Sequence, residues 1–127
     1  MAEKIKIDNL TNAIMKELQN YSDEINEAVK VDIKEVAKET AKQLKTTSPK
    51  RYGNYAKSWG TTPTVKGKHA YKETVHNKKH YRLTHLLEFG HAFKNGGRAR
   101  AFPHIKPAED QAIKELEKRI TETIQRT

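Results

Sequence analysis

The chain has no cysteine. Disulfides, thiolate nucleophiles and cysteine-ligated zinc are therefore excluded. It has no apolar run near the ~20 residues that cross a bilayer. Its opening, Met1 to Ile7, lacks the apolar stretch of a secretion signal. The expectation is a protein made and used in a cytoplasm. Large apolar side chains are scarce as well: Leu, Ile, Val and Phe make up 24 of 127 residues. Such a chain builds a modest core and gains stability from a partner or from copies of itself. The sharpest shortage is of negative charge in the middle. Residues 45–106 hold 14 Lys and Arg against only Glu73 and Glu88. Residues 1–44 hold 7 basic and 9 acidic side chains, and residues 107–127 hold 4 and 5. A cationic segment of this density attracts polyanions, and repels its own copies unless something neutralises it.

What is present reads as one domain over residues 1–127, with a helical arm at 1–48 and a sheet-plus-helices body at 49–127. Residues 8–45 contain no Pro or Gly, and Leu10, Ile14, Leu18, Tyr21, Ile25, Val29, Ile33, Val36 and Leu44 recur by threes and fours. That spacing predicts amphipathic helix. A single rod of this length would be about 55 Å long. The alternative is two helices with a break at Asn20-Tyr21-Ser22-Asp23, where Asn20 or Ser22 would cap the second. Pro49 stops the helix. Tyr55 to Thr61 reads as a strand with Tyr55 and Trp59 on one face, and His69 to His76 as its hairpin partner across Lys66-Gly67. Tyr81 to Phe89 reads as a short helix with Leu83, Leu86, Leu87 and Phe89 in the core and Gly90 closing it. Lys94, Arg98 and Arg100 surround the turn Asn95-Gly96-Gly97 in a basic loop with few anchors. Pro107 falls in the first turn of a last helix carrying Ala108, Ala112, Ile113, Leu116, Ile120 and Ile124. The class is α+β: long N-terminal helix, small antiparallel sheet, short helix, basic loop, C-terminal helix.

Catalytic patterns are missing. There is no GxSxG, no HExxH and no GK[ST]. His85, Glu88 and His91 stand three apart, and His76 and His80 four apart, but Gly90 throws His91 off the helix face. No metal, no cofactor and no enzymatic activity are expected. Basic side chains interleaved with Tyr52, Tyr55, Trp59, Tyr71 and Tyr81 suit contact with nucleic-acid phosphates without sequence choice. The competing reading makes Tyr55, Trp59 and Tyr71 sheet core.

Three motifs in order resemble a known family. They are Tyr55-Ala56-Lys57-Ser58-Trp59, then Tyr81 to His91 ending in Leu87-Glu88-Phe89-Gly90, then Pro103-His104-Ile105-Lys106-Pro107-Ala108. Together they look like the gene-product-ten-like tail-completion or head–tail joining proteins of lambda-like long-tailed bacteriophages. The likeness covers residues 50–125 and marks Tyr55, Trp59, Leu86, Glu88, Gly90, Pro103, His104 and Pro107 as the structural motif. It implies a virion structural protein of the neck, made in the host cytoplasm, that forms a ring, commonly of six. The implied partners are further copies, connector or stopper proteins and tail terminator or tube proteins, with packaged DNA touched through phosphates and no membrane. The loop Lys94, Asn95, Gly96, Gly97, Arg98 and Arg100 is expected to make partner or DNA contacts and to order on assembly. The alternatives are a non-sequence-specific nucleic-acid-binding protein and a metal-dependent nuclease or toxin.

Overall fold

A computed structural model describes Lys4–Ile5, residues 20–50, 53–68 and 71–126. Its longest element is α1, Asp23–Thr47. Ser22 is the N-cap: its Oγ accepts from Ile25 N at 3.2 Å, and Asp23 and Glu24 sit in the positively polarised first turn. Of the two caps the sequence offered at this break, Ser22 is used. Leu10, Ile14 and Leu18, placed on an earlier stretch of helix, lie outside the described residues. At 25 residues α1 is about 37 Å long. Its inward stripe is Val29, Ile33, Val36, Ala37, Thr40, Ala41 and Leu44. Ser48 closes it, its N donating to Leu44 O at 2.9 Å, and Pro49 follows.

The next segment corrects the expected strand. Gly53–Lys57 is a short helix, α2, and the strand β2 runs Trp59–Lys66. A spacing of four residues satisfies both a strand face and one helical turn, so Tyr55 and Trp59 fitted either period. Their shared burial survives, with ring centroids 5.7 Å apart, edge to face. β2 pairs antiparallel with β3, Tyr71–Asn77, from Trp59↔Asn77 to Lys66↔Tyr71, with a bulge between Pro63 and Val65. Lys4–Ile5, β1, pairs with the other side of β3. Among the described strands β2 is thus at the edge, where Pro63 costs no ladder bond. His69, the expected start of the second strand, lies outside the described residues. β3 buries Tyr71, Glu73, Val75 and Asn77, and α1 packs against both strands of the hairpin.

α2 and the hairpin lead to α3, Tyr81–Phe89, the helix read from the sequence. Its inward residues are Thr84, Leu87 and Glu88, with Leu83 at the edge of the core. Leu86 and Phe89 are corrections. They are 39% and 61% exposed, because nine residues make little over two turns and these two fall on the side opposite Thr84. A small ribbon follows, β4 (His91–Ala92) with β5 (Arg98–Ala99), and then α4, Ile105–Arg126. Pro107 lies in its first turn, as expected. Ala108, Ala112, Leu116 and Ile120 are buried, and Ile113 and Ile124 pack on the core's margin. α4 lies against α1. Polar ties cross that seam: Thr123 Oγ1 donates to Asp32 Oδ2 at 2.5 Å, and Arg119, held by Glu115 of its own helix (2.9 Å), reaches Glu35 (3.2 Å) and Glu39 (2.8 Å).

Candidate interaction face and the glutamate that holds it

The first four N–H positions of a helix have no partner within it. At α4 these are His104, Ile105, Lys106 and Pro107, and none is Ser, Thr, Asp or Asn, the usual cap. The acceptor comes from α3. Glu88 Oε1 accepts from His104 N at 2.7 Å and Ile105 N at 2.9 Å, and Oε2 accepts from Lys106 N at 3.1 Å. Pro107 has no N–H to satisfy. All four positions are accounted for by one carboxylate and one proline. A negative charge there also meets the positive end of the helix dipole. The Glu-x-Gly turn and the Pro-His-Ile-Lys-Pro stretch are thus two halves of one joint.

His104 locks that joint to the rest of the fold. Its Nδ1 lies 2.6 Å from Phe102 O and 3.0 Å from Glu88 Oε1, both acceptors, so Nδ1 carries a proton. In the neutral ring Nε2 then accepts from Tyr55 Oη at 2.6 Å. Burial, with Glu88's charge adding to it, pushes the Tyr55 phenol up to about 12. Trp59 stands edge-on to His104 at 6.3 Å and donates Nε1–H to Ser48 Oγ at 2.8 Å. Asn77 Nδ2 donates to Tyr55 O at 2.7 Å. Of the marked motif residues, Tyr55, Trp59, Glu88 and His104 therefore tie the end of α1, the hairpin, α3 and α4 into one buried network, while Leu86, Pro103 and Pro107 are exposed. Tyr55, Trp59 and Tyr71 are core rather than a stacking platform. Tyr52 and Arg51 lie outside the described residues.

Between the two halves of the joint, the ribbon loops outward. Gly90 has φ 74°, and a Cβ there would meet Ala99 O at 2.6 Å. Phe102 N returns to Leu87 O at 2.7 Å. The turn is closed by Phe93 N to Gly97 O at 2.9 Å, with Gly96 and Gly97 both at positive φ. Lys94, Asn95, Gly96, Gly97, Arg98 and Arg100 are all exposed, gathered on this one projection. Arg98 makes a long contact to Phe89 O at 3.4 Å, and Arg100 sits 5.9 Å from the Phe102 ring. Phe93 and Phe102 are half-exposed, beside Leu86 and Phe89. His85 stacks on Phe89 with centroids 5.0 Å apart while Glu88 faces inward, so His85, Glu88 and His91 do not converge.

The electrostatics sharpen what the sequence indicated. Glu73 and Glu88 are 3% and 6% exposed. Glu73 accepts from Tyr71 Oη at 2.5 Å, and burial together with Glu73 raises the Tyr71 phenol far above its ordinary value. Neither carboxylate reaches the surface. Among the described Lys and Arg of 45–106, only Lys68 (to Asp23, 3.6 Å) and Lys106 (to Asp110, 2.9 Å) have an acidic partner. The described surface of the middle is strongly cationic. The capping role of Glu88 was missed in the sequence, although a helix opening on Pro107 with no local cap is a signal that an acceptor comes from elsewhere.

Residues 12–90 match the family HK97-gp10_like, described as "Bacteriophage HK97-gp10, putative tail-component". The match spans more than half of the chain. The protein belongs to the bacteriophage HK97-gp10-like family of tail components. No curated protein and no solved structure matches the chain. The matched span differs from the 50–125 of the motif likeness: it takes in the helical arm and ends at Gly90. As an HK97-gp10-like tail component the protein has a structural role in the phage particle and is virion-associated. Among the described residues no helix is long and apolar enough to cross a membrane.

Proposed function

We propose that this tail component works at the head–tail junction, completing the tail or joining it to the head, as a ring of copies in the neck. Its neighbours there are connector or stopper proteins on one side and tail terminator or tube proteins on the other. It acts as a structural part, without catalysis. The observation that carries this reading is the burial of Glu73 and Glu88, which leaves the described cations of residues 45–106, apart from Lys68 and Lys106, without an acidic partner. A subunit set against acidic neighbours or packaged DNA has such a field neutralised. Lys94, Arg98 and Arg100, on a projection held only at its base, are placed to adapt to carboxylate or phosphate as the particle forms.

Deleting the gene from its phage tests the reading. Lysates are expected to hold filled heads and separate tails by electron microscopy, with joining restored when the protein is supplied. Joined, infectious particles lacking the chain would overturn it.

A further inference from the structure

We infer that two copies join through unlike faces. The aromatic, basic cleft between α3 and the β4–β5 ribbon of one copy takes the acidic, Val31-centred outer face of α1 from the next. This deepens the ring reading above and rests on it.

The cleft has a volume of about 510 Å³ and is walled by Leu86, Phe93, Phe102, Arg98 and Arg100, with Pro49 at the end of α1. It is apolar inside and cationic around, so it suits an apolar side chain ringed by carboxylates. Among the described residues there is one such surface. Val31 is 52% exposed in the middle of α1, where a β-branched residue gains nothing from helix propensity. At 100° per residue Glu24, Glu27 and Glu35 lie within about 40° of it on the helix surface. All three are exposed. Among the described residues Glu24 has no cation beside it, while Glu27 meets Lys30 at 3.1 Å and Glu35 meets Arg119 at 3.2 Å. Exposed pairs of this kind contribute little, and an incoming guanidinium can displace them. Exposed Lys34 flanks the patch about 60° round the helix. Lys38 and Lys42 reverse the sign further along, which confines the acidic patch to the first half of α1. Among the described residues, five of the eight large apolar side chains left exposed belong to these two regions: Leu86, Phe89, Phe93 and Phe102 on one, Val31 on the other. Apolar exposure and opposite charge thus coincide on both.

The pairing cannot be like with like. Two basic clefts face to face would set Arg98 and Arg100 against themselves. Unlike faces make a head-to-tail contact, which repeats from copy to copy and closes as a ring when the rotation allows.

The absence of cysteine makes a direct test available. Val31→Cys and Phe93→Cys are made in separate chains, mixed and mildly oxidised, with each alone as control. The expected product is a disulfide-linked pair that contains one of each variant. Arg98→Glu with Arg100→Glu is expected to abolish self-association by light scattering. Adding Glu24→Lys, Glu27→Lys and Glu35→Lys in the same chain is expected to restore it. Rings that form without the mixed disulfide would overturn this contact and leave the ring reading standing. A chain that stays monomeric at every concentration, in a phage whose neck holds no ring of it, would overturn both. An Ile14→Cys, Phe93→Cys chain that bonds internally as a monomer would show the cleft filled by its own N-terminal segment, and would likewise overturn the contact.

Discussion

Glu88 joins α3 to α4 by giving its two oxygens to three backbone donors, a load that a local Ser or Asp cap would share with water. Glu88→Gln keeps the size but offers one acceptor and turns an NH₂ toward N–H groups. Buried donors left without an acceptor cost more than the bonds themselves contribute. The expected loss is about 3 kcal/mol of unfolding free energy, read from urea melts. An unchanged midpoint would remove the cap from the account. Asp32 behaves in the opposite sense. Burial raises its carboxyl above the ordinary value of 3.8, and Glu35 adds to this, while the Thr123 hydroxyl and the Arg126 and Arg119 charges pull it down. A raised acid holds its proton longer in the folded chain, so its contribution to stability falls as pH climbs above 3.8 toward the folded value. Asp32→Asn keeps an acceptor for Thr123 and removes that penalty. The variant is expected to match the parent below pH 3.8 and to equal or exceed it at neutral pH. A variant less stable at pH 7 than at pH 3, relative to the parent, would contradict the sign.

Among the elements, the β4–β5 ribbon is separable from the fold that carries it. Its tip buries nothing, and Lys94, Arg98 and Arg100 are exposed. Replacing all three with Ala is expected to leave the thermal midpoint within a few degrees of the parent while blocking the formation of infectious particles. Normal particles from the triple variant would refute the role given to this loop. The elements also differ in how plainly the sequence announced them. α3 and α4 were legible because their ends are chemically marked, by Gly90 at positive φ and by Pro107 in a first turn. The stop of α1 at Ser48-Pro49 was legible for the same reason. Of the two readings of Tyr55 and Trp59, the one that buries them holds. Trp59 is on a strand as expected, while Tyr55 is on α2, since a four-residue step fits helix and strand alike. Leu86 and Phe89 were taken for core on apolar character, which says nothing of the side a short helix presents. The network of Glu88, His104 and Tyr55 was only half legible. Its members were singled out as a motif, but the contacts span 16 to 49 residues of chain, and no periodicity reports contacts at that range.

For the whole molecule, charge is sorted by layer. The two carboxylates of the basic middle are inside, holding the fold, and its cations are outside, with two acidic partners among the described residues. The long helices hold both signs and neutralise much of their own surface, as around Arg119. On the contact inferred above, copies repel at the ribbon and attract at the start of α1, which would give assembly a direction before any contact forms. The most direct measurement is a cryo-electron microscopy map of the assembled neck at side-chain resolution. Arg98 and Arg100 of every copy are expected to lie against carboxylates of an adjoining subunit or against DNA phosphate. The same map with both guanidinium groups facing open solvent, in a ring closed through other surfaces, would contradict the account.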